Sequence, residues 1–180
     1  YEEFFLFQLR LQAIRRAHRQ KDGNQILYNN DELRGFIKTI PFELTAAQKR
    51  VVNEICRDLR QPYQMNRLLQ GDVGSGKTIV AAIAIYATII AGYQAALMAP
   101  TEILAAQHAQ KLAGVFDGTH VNVGLLTGSM NTKQKREMLN GIKNGTINLV
   151  VGTHALIQDQ VEFANLGLAI IDEQHRFGVH

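Results

Sequence analysis

The eight residues Gly71-Asp72-Val73-Gly74-Ser75-Gly76-Lys77-Thr78 hold the densest chemistry in this sequence. They satisfy G-x-x-x-x-G-K-[ST] between a predicted short strand, Arg67 to Gln70, and a predicted helix. Glycines let the backbone close around an anion, so that successive N–H groups point inward. A helix beginning there aims its positive end at the same anion. Lys77 supplies a point charge for β- and γ-phosphates, and the Thr78 hydroxyl is a ligand for magnesium. The pattern therefore implies Mg-ATP. The bland alternative is a chance match in a glycine-rich turn, and the strand-before, helix-after context argues against it.

A phosphate loop of this kind needs an acidic partner at the end of a neighbouring strand. Leu168-Ala169-Ile170-Ile171 reads as such a strand, ending in Asp172-Glu173. Asp172 would hold Mg²⁺ through water, because magnesium dehydrates reluctantly. Glu173 would orient or deprotonate an attacking water, which favours hydrolysis over transfer to a small molecule. The alternative makes Asp172 a turn cap and Glu173 a solvated surface charge. Thr45-Ala46-Ala47-Gln48 has the spacing of a helix capping box. An amide also suits the paired donor and acceptor of adenine, with Phe42 nearby to stack. Local pattern supports both uses of Gln48 equally.

These residues require a scaffold, and from Leu68 onward the pattern is regular. Helices are predicted over Lys77–Ala91, Glu102–Phe116 and Thr132–Lys143, with strands over Ala95–Ala99, Val121–Leu126, Asn148–Val151 and Leu168–Ile171. Such alternation predicts an α/β fold with a mainly parallel sheet covered on both faces. Ligands then gather at the carboxyl ends of the strands. Upstream, Tyr1–Gln20 reads as a helix, apolar all round with a basic C-terminal end. Lys21–Thr39 reads as a polar, turn-rich connector. Residues 1–40 are thus expected to be a linker helix and connector, with a new unit from Pro41 to His180.

The 180 residues are 46% hydrophobic and 19% charged, with a net charge of +3, ordinary for a globular domain and permissive of an anionic partner. Cys56 is the only cysteine, which excludes an intrachain disulfide and a cysteine-based zinc cluster, and beside Val52 and Ile55 it reads as core. The six histidines show no metal spacing. The apolar run Ile79–Gly92 is shorter than the ~20 residues of a membrane span. No signal peptide is visible, and a start at Tyr1 with a stop at His180 is what an excerpt of a longer protein would show. Lys133, Lys135, Arg136 and Lys143 read as the solvated face of a helix.

Taken together, GDVGSGKT (Gly71–Thr78), APTE (Ala99–Glu102), VGTHA (Val151–Ala155) and DEQHRFGV (Asp172–Val179) resemble the RecG family of superfamily-two DNA helicases. The likeness runs from about Pro41 to His180, the first of two motor domains, with a RecA-like P-loop fold. The transcription-repair translocase Mfd is similar in layout but usually has a second Glu where this chain has Gln174. The resemblance implies ATP-driven branch migration of Holliday junctions and regression of stalled forks in DNA repair and recombination. It makes Gln48 the adenine reader. Pro100, Thr101 and Glu102 become the first DNA-contacting motif, followed by Thr127 and Gly128 and by Thr153 and His154. For these strand-end residues ordinary capping and turn chemistry is the competing account. Gln174 and His175 would relay hydrolysis to movement, unless His175 is simply a core histidine. The family also carries a wedge domain and a second motor domain. Its implied setting is the bacterial cytoplasm, with branched DNA and single-stranded-DNA-binding protein as partners and a monomer as the expected state.

Overall fold

Gln94 to Met98 are all buried, and an unbroken run of this kind makes a strand covered on both faces. The computed structural model describes residues 4–10, 28–41, 43–59, 66–72, 75–157 and 160–175, by backbone alone at 4–10, 58–59, 66–72, 75–77, 157 and 173–175. Within them lie strands β1 (Phe4–Arg10), β2 (Asn66–Asp72), β3 (Gln94–Met98), β4 (Val123–Leu126), β5 (Leu149–Gly152) and β6 (Leu166–His175). The helices are α1 (Asn30–Thr39), α2 (Ala46–Leu59), α3 (Ser75–Ile90), α4 (Glu102–Val115) and α5 (Thr132–Asn144).

The strands form one sheet in the order β2-β1-β6-β3-β5-β4. β6, β3, β5 and β4 are parallel neighbours, and β1 is antiparallel to both β2 and β6. Both flanking strands oppose β1, so β2 runs the same way as the other four. The mainly parallel sheet expected from the sequence is the one that forms. Its side chains alternate with the period of two that a pleated strand imposes. Ala95, Leu97, Leu149, Val151, Leu168 and Ile170 face a core shared with α1 to α4. Ala96, Met98, Val150 and Ala169 face a second core with Leu126 of β4, Ile142 of α5 and Leu156. Cys56 is buried in the first core, as read.

At the end of the sheet away from the motifs, Gln94 is buried and fully used. Its amide donates to the Ile142 carbonyl at 2.9 Å and the Ile147 carbonyl at 2.8 Å, and its oxygen accepts from Asn165 N–H at 2.9 Å. Among the described residues, no helix is long and apolar enough to cross a membrane.

Three expectations are corrected. Phe4–Arg10, read as part of a helix over Tyr1–Gln20, is strand β1; the rest of that stretch lies outside the described residues. The sequence FFLFQLR is short and mostly apolar, and such runs have no clear period to separate strand from helix. Residues 30–39 of the supposed connector form α1. Asn29 caps it by accepting from the N–H groups of Asp31 and Glu32, and Leu33 and Phe36, three apart, are buried. Finally, β6 does not stop at Ile171. Pairing with β1, from Leu9↔Ile170 to Phe4↔His175, carries it through Asp172, Glu173, Gln174 and His175.

Candidate functional site

The glycine motif sits at a strand-to-helix junction. Gly71 and Asp72 are the last residues of β2, and Ser75, Gly76, Lys77 and Thr78 open α3. Val73 and Gly74 lie outside the described residues. From Thr78 through Ile89 every residue of α3 is buried, so the helix under the motif is packed on all sides. The Thr78 hydroxyl is therefore carried where the packed part of that helix begins.

Asp172 is buried in β6 and, across Phe7 of β1, is level with Leu69 of β2, roughly 10 Å away at the usual strand spacing; Gly71 and Asp72 end β2 two and three residues beyond that rung. One carboxylate oxygen, Oδ2, lies 2.5 Å from Nε2 of His108 on α4. The other, Oδ1, is buried and has no hydrogen-bond partner among the described residues. A buried oxygen left so costs about 1–3 kcal/mol. Such an oxygen, with a threonine hydroxyl at a helix start, is a donor set that a hard cation accepts. Among the described residues, no group of three or more His, Cys, Asp or Glu could hold a metal by itself. Magnesium held with few carboxylates and with phosphate oxygens fits that arrangement. Glu173, Gln174 and His175 follow as successive rungs opposite Leu6, Phe5 and Phe4.

Gln48 caps its own helix. Its Oε1 accepts from Thr45 N–H at 2.8 Å, and its N–H donates to Thr45 Oγ1 at 3.1 Å. The cap uses one lone pair of Oε1 and none of the amide protons, so it leaves chemistry for a base edge. Phe42 lies outside the described residues.

The other strand-end motifs stand side by side because β3, β5 and β4 are neighbours. Ala99 N–H donates to the Gly152 carbonyl at 2.8 Å, joining the ends of β3 and β5. Pro100 is exposed, and Thr101 is the N-cap of α4, accepting from Leu104 N–H at 3.2 Å. Thr127 is buried just after β4. Ser129, one residue past Gly128, donates to Glu102 Oε1 at 2.5 Å and so ties the turn after β4 to the start of α4. Glu102 is thereby a clip between the turn after β4 and the start of α4. Thr153 is half-buried, and exposed His154 opens a short 3₁₀ turn to Ile157. Gly152 is required here, because a Cβ would collide with the Leu126 backbone carbonyl of the neighbouring strand.

His108 was missed by sequence reasoning. Ala105, His108 and Leu112 share the stripe of α4 that meets the sheet, and a titratable residue on that stripe was the available signal. Its partner lies 64 positions away, where local pattern has no reach.

A model of the DEAD/DEAH box helicase family matches residues 45–180. The chain is 59% identical over 180 residues to the ATP-dependent DNA helicase RecG of Bacillus subtilis (strain 168), covering 99% of this chain and 26% of that protein. It is 57% identical over 181 residues to RecG of Staphylococcus aureus (strain NCTC 8325 / PS 47), covering 100% of this chain and 26% of that one. A solved structure of RecG bound to a three-way DNA junction superposes with a TM-score of 0.81 at 47% identity, over 94% of this chain and 23% of that chain. The chain thus spans about a quarter of the length of the curated relatives it matches. The likeness to RecG read from GDVGSGKT, APTE, VGTHA and DEQHRFGV is borne out over nearly the whole sequence. The chain belongs to the DEAD/DEAH box helicase family.

Proposed function

We propose that residues 41–180 are the ATP-binding half of a RecG-type DNA motor, which couples hydrolysis to branch migration of Holliday junctions and regression of stalled forks. One observation carries this reading. Five strands run the same way, so the end of β2 with its glycine motif, Asp172 in β6 and the motifs after β3, β5 and β4 share one edge of the sheet. Fuel and track then meet on a single rigid frame.

In this reading the amides of Gly71–Thr78 and the Lys77 ammonium hold the triphosphate. Thr78 and Asp172 hold Mg²⁺, which when bound neutralises charge on the β- and γ-phosphate oxygens. Glu173 orients the attacking water, and Gln48 with Phe42 reads adenine. Thr101, Thr127, Gly128, Thr153 and His154 follow a DNA backbone with hydroxyls, amides and a helix N-terminus. Pro100 shapes that edge, Glu102 holds it together, and Gln174 and His175 connect it to the nucleotide. Branched DNA is the substrate class, single-stranded-DNA-binding protein a further partner, and the bacterial cytoplasm the setting. The high identity to RecG proteins favours this over a transcription-repair translocase of the Mfd kind.

The deciding experiment gives the intact protein a model replication fork, ATP and Mg²⁺. Conversion to a four-way junction is expected, without any need for stalled RNA polymerase. Failure to convert the fork, or strict dependence on the polymerase, overturns the reading.

A further inference from the structure

The pair formed by His108 and Asp172 is more than a core histidine finding a partner. The His108 side chain is 11% exposed and that of Asp172 0%. Taking an imidazole and a carboxylate out of water costs enough that well-packed hydrocarbon in both places is often as stable or better. A pair kept for stability alone would also be closed, with both carboxylate oxygens satisfied. This one is open: Oδ2 is taken by His108 Nε2, and among the described residues Oδ1 has no partner. A carboxylate accepts but does not donate, so the imidazole N–H is the donor. Holding one oxygen fixes the rotation of the group and therefore where the second oxygen stands. Ala105 and Leu112, flanking His108 on the same stripe of α4, are both fully buried, which holds the imidazole's own helix rigidly on the sheet.

We infer that His108 is a positioning residue for the nucleotide site, holding the Asp172 carboxylate so that its free oxygen serves a divalent cation or that cation's water. This rests on the reading of Asp172 as a magnesium-holding residue. Outer partners of metal-binding carboxylates fix ligand orientation, and their removal typically weakens metal affinity ~10–100-fold. His108 touches neither substrate nor cation in this role.

The test measures binding of a fluorescent non-hydrolysable ATP analogue to the intact protein as free Mg²⁺ is varied. His108→Leu fills the space without a donor, and should raise the Mg²⁺ needed for half-maximal binding ~10-fold or more. Binding in EDTA should stay as it was. His108→Gln restores an N–H donor and should recover most of the loss, which a purely structural role does not predict. Asp172→Asn is the reference arm. If it shifts the Mg²⁺ dependence and His108→Leu does not, the inference falls while the reading of Asp172 stands. If Asp172→Asn leaves the dependence unmoved, that reading falls and takes the inference with it. A measurement on the wild-type protein needs no folded Leu variant. With ¹⁵N-histidine labelling, the His108 ring resonance should move when Mg²⁺ is added to the nucleotide-bound protein. A resonance that stays in place overturns the proposal.

Discussion

Glu173 is the residue at which binding and turnover should come apart. Its neighbour Asp172 is buried with one oxygen tied to His108, a fixed group suited to holding a cation. A general base must instead take a proton from water and give it up again, and it contributes ~10²–10⁴ in rate. Glu173→Gln keeps the shape and removes that capacity. The expected outcome is Mg-ATP affinity unchanged and steady-state hydrolysis lower by ~10²–10⁴, with nucleotide trapped on the protein. Equilibrium titration beside a phosphate-release assay checks both halves; near-normal release would remove Glu173 from this role. The types that touch phosphate announce themselves locally, since only glycines, a lysine and a hydroxyl in fixed order serve a strand-to-helix nest. His108 does not, because its meaning depends on a partner in another strand. Glu102 shows the reverse case. Its place after Pro-Thr suggests a DNA-facing motif, and the fold adds a second partner that no local pattern announces, the Ser129 hydroxyl.

Elements with a clear period were legible to within about a turn: α3, α4 and α5 and strands β3, β4 and β5 fall where alternation and caps put them. The failures have physical causes. α1 is polar along most of its length, and its inner face is marked by buried Leu33 and Phe36 with Ile37 half-buried beside them. β1 is a short, mostly apolar run, and such a run carries too little period to tell strand from helix. β6 runs past its expected end because a neighbour pairs with it there, and pairing is not a local property. α1 is testable as part of the core. The Phe36 ring stacks on Tyr86 with centroids 4.2 Å apart and on Phe116 at 5.4 Å. Phe36→Ala should therefore cost about 3–5 kcal/mol in urea unfolding, through lost burial and a cavity. A connector residue would cost within ~0.5 kcal/mol. A loss that small would detach α1 from the domain.

At the scale of the molecule, the sheet divides its labour. In the proposed reading, β2 and β6 lead to the nucleotide residues, while β3, β5 and β4 lead to the motifs for the track. All of them open on one edge, and that edge is a half-site in the RecG-type reading. Stabilising the charge that develops on a transferring phosphoryl group takes more cations than Lys77 and magnesium, and an arginine from a second motor domain is the part the RecG likeness implies. In comparable NTPases such a finger contributes ~10³–10⁵ in rate. The chain spans about a quarter of the RecG proteins it matches, so this can be tested by taking the 180 residues alone. They should bind Mg-ATP through the phosphate loop, because all eight residues of that motif, Gly71 to Thr78, lie within this chain. They should hydrolyse it slower than the intact protein by a factor of that order, with little response to DNA, and unwind nothing. Single-turnover hydrolysis with and without a fork substrate gives the comparison. Robust DNA-stimulated turnover by these residues alone would mean that the catalytic cations all lie within this chain, and the half-site account would fail.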